Sequence, residues 1–121
     1  MAAAGTDSVG GQELGPNPGF IAIYRWEVEP DHEQEFRDRW HRTTLLGRDL
    51  GAFGSCLARG PEGQLVAIAL WPSEAARAAA FESLGPQPPW TGARRLEELK
   101  LEVEDDLWLN SPFGQRSAEA Q

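Results

Sequence analysis

Residues 64–71, QLVAIALW, followed at once by Pro72-Ser73-Glu74, constrain the fold more than any other stretch. This is the most continuously apolar run in the chain, and only its first residue is polar. A strand with one face in water alternates in polarity, whereas a run without alternation is covered on both faces. The pattern therefore predicts a central strand ended by Pro72, with Ser73 as the N-cap of a helix SEAARAAAF. Trp71 is then the last residue of that strand, where a side chain leaves the core and meets a cleft. Any chemistry is expected to assemble beside it.

The rest of the chain supplies partners for this strand. Phe20–Val28, FIAIYRWEV, is rich in β-branched and aromatic residues and reads as another inner strand. Alternation puts Phe20, Ala22, Tyr24, Trp26 and Val28 on one face and Ile21, Ile23, Arg25 and Glu27 on the other. Pro30 and Asp31 open a helix, with Gln34 placed to complete a capping box. Phe36 and Trp40, four apart, share one face of it, and it stops near Gly47 or Gly51. Residues 53–59 read as a short strand. Gly60-Pro61-Glu62-Gly63 suits a type I turn and joins it to the central run as a hairpin. The second helix runs to about Ser83 and buries its alanines and Phe81, and Gly85-Pro86-Gln87-Pro88-Pro89 breaks it. Trp90 begins a short helical piece ending near Lys100, and residues 101–109, LEVEDDLWL, read as an edge strand. The order is β-α-β-β-α-β, an α+β chain with one four-stranded antiparallel sheet of the ferredoxin-like kind. In that topology the first and third strands are central, and those are the two most apolar strands here. One domain spans 20–109, between a leader over 1–19 too poor in large apolar groups to fold and a loose tail over 110–121.

Charge excludes several function classes. A net charge of −8 opposes nucleic-acid binding, which rests on Lys and Arg neutralising phosphates, and opposes an anionic membrane surface. A single cysteine, Cys56, rules out an internal disulfide and is expected to be a small buried hydrophobe. No run is long and apolar enough to span a bilayer, and the N-terminus lacks the parts of a signal peptide, so a cytoplasmic location is expected. Two histidines and one cysteine give no metal-ligand spacing, and no glycine-rich phosphate loop follows a strand. The expectation is a protein without metal, nucleotide or flavin.

With these residues in view, FIAIYRWEVEPDHEQEFRDRW, LGAFGSCLAR and LVAIALWPSEAARAA resemble the antibiotic biosynthesis monooxygenase family of dimeric α/β-barrel proteins. The similarity runs from about Phe20 to Phe81 and more loosely into the last strand. It implies a homodimer in which two such sheets pack face to face, with each pocket between a subunit's own sheet and helices. The family includes cofactor-free oxygenases of anthrones and quinols, and haem-degrading enzymes. The haem-degrading members use an Asn on the first strand, a Trp ending the third and a His on the second helix. Trp71 matches the Trp, but the other two positions fall on Tyr24 and near Phe81, and no histidine follows His41. The resemblance thus implies the polyketide-oxidising side of the family, whose pockets carry Trp, Tyr, Arg and Asn.

Such chemistry needs a base or acceptor to favour an enolate, a donor to hold its oxygen and an apolar cavity that admits oxygen. Tyr24 is the candidate donor, His41 a candidate base near neutral pH, and Trp71 a catalytic wall. Trp26, Phe36, Trp40 and Phe81 are the candidate substrate-binding surfaces. Arg25 alternates away from Tyr24, toward Glu27 or a partner's acid. The expected ligand is a small aromatic molecule. Two further readings stay open: a dimeric binding or interaction module without catalysis, and another reaction such as isomerisation or decarboxylation in the same pocket.

Overall fold

The computed structural model describes residues 19–114. Its elements are β1 (Phe20–Val28), a 3-10 turn (Pro30–His32), α1 (Glu33–Asp49), β2 (Gly54–Arg59), β3 (Leu65–Trp71), α2 (Glu74–Leu84) and β4 (Ala93–Glu102), followed by a second 3-10 turn (Pro112–Gly114). The four strands form one antiparallel sheet in the order β2-β3-β1-β4. The two apolar strands are central, as their composition requires, and the fold is ferredoxin-like. Among the described residues no helix is long and apolar enough to cross a membrane.

Local chemistry explains most boundaries. Ser73 caps α2, its hydroxyl accepting from the Ala76 N–H at 3.0 Å. The β2–β3 hairpin closes through Gly63 N–H to the Gly60 carbonyl at 3.1 Å, the i to i+3 bond of the expected turn. At the start of α1 the capping box does not form. Asp31 lies inside the 3-10 turn, neither helical start carries a side-chain cap, and Gln34 donates to Asp38 instead, at 3.0 Å.

The last strand departs furthest from expectation. Residues 93–102, ARRLEELKLE, favour helix by composition, yet they pair along the full length of β1, from Phe20 opposite Glu102 to Val28 opposite Ala93. A long ladder on an inner strand outweighs weak local propensity. Residues 103–111 then leave the sheet, so the strand expected over 101–109 begins eight residues earlier. The turn into β4 needs Gly92 (φ +67°), where a Cβ would fall 2.4 Å from the His32 ring.

The helices cover one sheet face, and two buried clusters lie beneath them. Phe20, Ala22, Trp71 and Ala80 form one, and Trp26, Phe36 and Leu65 the other. Tyr24 packs against both. The second cluster includes a ring stack in which Trp90 lies 5.4 Å from Trp26 and 4.7 Å from Phe36. Beyond β4, Phe113 is 2% exposed and packs edge-on against Phe53, so part of the segment expected as a loose tail belongs to the core. A Cβ on Gly19 would stand 2.1 Å from that ring. The expected leader, apart from Gly19, and residues 115–121 lie outside the described residues. Cys56 is exposed rather than buried, because its strand position turns it to the sheet face that no helix covers. Phe81 is 39% exposed, and Ala80 fills the buried position beside it.

Candidate active site

Two helix faces and one sheet face enclose a cavity of about 330 Å³. Along α1, Phe36, Arg39, Trp40, Thr43, Thr44 and Gly47 recur at steps of three and four and all line it. Along α2, Arg77, Phe81 and Leu84 do the same at steps of four and three. The sheet contributes Tyr24 and Trp26 from β1, Ser55 from β2, and Ala67, Ala69 and Trp71 from β3. The space exists because the residues opposite the large rings are small: Gly47 on the helix, Ala67 and Ala69 on the sheet.

Polar groups in this apolar space converge on Tyr24. Arg77 donates to the phenolic oxygen through Nε at 3.0 Å and Nη2 at 2.5 Å. A guanidinium can only donate, so the oxygen accepts twice and the tyrosine's own O–H is left to donate to a third group. Arg77 Nη2 also reaches Glu98 Oε2 at 3.1 Å, and Arg95 Nη1 reaches Glu98 Oε1 at 3.0 Å. Arg95 lies over the rings of Tyr24 (4.8 Å) and Trp26 (4.5 Å), a cation–π arrangement. Elsewhere in the wall the Trp40 indole donates to Ser55 Oγ at 3.3 Å. Trp71 is 5% exposed, and its indole N–H is buried without a hydrogen-bond partner. Arg39 donates to the carbonyls of Pro89 (2.7 Å) and Pro88 (2.6 Å) and stacks on Trp90, which fastens the proline-rich loop to α1.

An irregularity in β4 builds the cluster. The β1–β4 register slips between Arg25, opposite Glu97, and Trp26, opposite Arg95, which leaves Leu96 as an extra residue. In a regular strand, residues three apart face opposite ways. The bulge puts Arg95 and Glu98 on the same face, toward the cavity.

Six of the seven residues singled out from sequence line this one cavity: Tyr24, Trp26, Phe36, Trp40, Trp71 and Phe81. His41 does not. It is exposed beside Trp40, one step round the helix from the cavity face. Arg25 does lie on the opposite face from Tyr24, and it pairs with Glu97 at 2.8 Å rather than with Glu27. Sequence reading missed Arg77, Arg95 and Glu98. Arg77 carried a usable signal, four residues before Phe81 in an alanine-rich helix, whereas the pairing of Arg95 with Glu98 depends on the bulge.

The topology and the position of the cavity between sheet and helices bear comparison with solved structures. The chain is 20% identical to the monooxygenase ActVA-Orf6 of Streptomyces coelicolor, solved with nanaomycin D (TM-score 0.54), over 80% of this chain and 96% of that one. The fold is that of the antibiotic biosynthesis monooxygenases. The haem-degrading protein Rv3592 of Mycobacterium tuberculosis shares it at 25% identity (TM-score 0.55), over 77% of this chain and 99% of that one. A protein of Shewanella loihica PV-4 does so at 19% identity (TM-score 0.57), over 76% and 100%. No protein-family model matches the sequence, and none of the curated proteins matches it.

Proposed function

We propose that the chain is a small oxygenase that oxidises an electron-rich aromatic compound of the anthrone or hydroquinone type in the cavity beside Tyr24, without metal or flavin. The observation that carries this reading is the Tyr24 phenol, held by two donated bonds from Arg77 with its own O–H left to give, inside an aromatic cavity. An anthrone-type substrate loses a proton from its ring CH2 to become an enolate, whose negative charge collects on oxygen. Tyr24 donates to that oxygen and Arg77 supports the charge through the phenol. The enolate carbon reduces O2 and joins it, and loss of water from the resulting hydroperoxide leaves a carbonyl. One oxygen atom thus enters the product and the other leaves as water. Glu98 has each carboxylate oxygen on a guanidinium, so the proton passes to water at the open side of the cavity. Trp26, Phe36, Trp40, Trp71 and Phe81 supply flat apolar walls for the rings.

The functional unit in this reading is a homodimer. The sheet face away from the helices carries Ile21, Ile23, Val66, Ile68 and Leu70, with Leu99 and Leu101 39% and 42% exposed beside them. An apolar face of that extent favours a second copy. Haem fits the site poorly as a substrate, because Phe81 offers no ligand atom and no histidine lines the cavity.

One observation favours a second reading, a module that binds a small aromatic ligand without changing it: the lining holds no free base. Oxygen uptake by metal-free protein with a panel of anthrones and hydroquinones separates the two. The oxygenase reading expects uptake above the spontaneous rate that falls in Trp71→Phe. Uptake no faster than without protein, with the compounds still bound, would leave the binding module.

A further inference from the structure

The chain carries a net charge of −8, yet the cavity lining holds three arginines and a single carboxylate. Arg39 spends its guanidinium on two neutral carbonyls. Arg77 and Arg95 share Glu98 between them, one oxygen each. One carboxylate offsets one guanidinium, so positive charge is left over where the rest of the protein is acidic. The side chain of Arg77 is only 14% exposed, and a charge withdrawn from water acts more strongly on what enters.

Donor capacity points the same way. The hydrogen bonds of Arg77 use Nε and Nη2, which leaves the two N–H groups of Nη1. Those of Arg95 use Nη1, which leaves Nε and Nη2. Both guanidinium groups lie near the Tyr24 ring, at 5.7 and 4.8 Å from its centroid. Two forked cations with unused donors, flanking a phenol at the edge of a space walled by Trp and Phe, match a planar acid group on a planar ring.

We propose that the cavity takes an aromatic ligand bearing a carboxylate, seated on Arg77 and Arg95 beside Tyr24. The proposal rests on the reading of the cavity as an aromatic-ligand site and adds the acid group to its substrate class. Glu98 acts as an internal stand-in that a ligand carboxylate displaces from part of its contacts. It keeps the two arginines in place when no ligand is bound and tempers their charge.

Calorimetric titration of the full chain with anthraquinone-2-carboxylate and its neutral carboxamide tests this. The acid should bind about tenfold more tightly than the amide at low salt, the scale of one charge-assisted pair, and the ratio should narrow as salt is added. Arg95→Gln should bring acid and amide toward equal affinity. Glu98→Gln should strengthen binding of the acid, a gain that loss of folding cannot produce. Equal binding of acid and amide by the unaltered protein, or weaker acid binding in Glu98→Gln, would overturn the carboxylate seat and leave the aromatic cavity standing. Binding of neither compound would overturn both.

Discussion

Tyr24 is the residue on which cavity, charge and core meet. It packs against both buried clusters, and its hydroxyl is the meeting point of the Arg77 bonds. Replacing it by Phe keeps the ring and removes the donor. Turnover of an anthrone should fall about 10²- to 10³-fold, the scale of one lost oxyanion donor, with ring binding little changed. Unaltered turnover would remove Tyr24 from the mechanism. Its place was legible from strand alternation, which turns it with Trp26 to the covered face. The charge network was legible only in part: Arg77 shares a helix face with Phe81, but alternation misplaces Arg95 and Glu98 across the bulge. A second residue-scale effect lies outside the cavity. Arg59 first, and then Arg37, donate to the Glu33 carboxylate and hold it below the ordinary carboxylate range. Because the folded value is lowered, this contribution to stability is whole above the unfolded value of about 4.3. It is lost as pH falls through the folded value. Acid unfolding of Glu33→Gln should show a shallower pH dependence there, and an unchanged profile would contradict it.

At the scale of elements, α1 is shaped by its small residue as much as by its rings. Gly47 is buried in the last part of the helix and lines the cavity. A Cβ there would sit 3.7 Å from Ala52 Cβ and 3.8 Å from Trp71 Cη2, ordinary contact distances. Gly47→Ala should therefore stabilise the fold by about 0.5–1 kcal/mol through helix propensity, read as a higher thermal midpoint. It should also narrow the cavity beside Trp71 and weaken binding of the bulkiest ring compounds. A lower midpoint would mean that the site is packed more tightly than these distances imply. The helices and inner strands were readable because their periodicity and N-cap chemistry agree with their tertiary role. β4 was not, since Leu, Glu, Lys and Arg favour helix and only the partner strand makes the segment extended. The short stretch PFG was unreadable for a similar reason. Nothing local marks Phe113 as buried, and its place is set by Gly19 and Phe53 from distant parts of the chain.

At the scale of the whole molecule, the proposed dimer rests on one covered and one open sheet face. Mass in solution should be twice the 13.3 kDa of the chain, and Ile68→Asp, at the middle of the open face, should return it to one chain. A single-chain mass for the unaltered protein at micromolar concentration would contradict the dimer. Cavity, donor and assembly together serve one proposal: that the protein transfers an atom of O2 to an aromatic ring system with no redox group of its own. Oxidation of an anthrone by metal-free protein under 18O2 is the decisive test of it. The expected result is one O2 consumed per quinone formed, one labelled oxygen in the quinone, and a rate well above the spontaneous one. A quinone formed no faster than without protein, or one free of label, would contradict it.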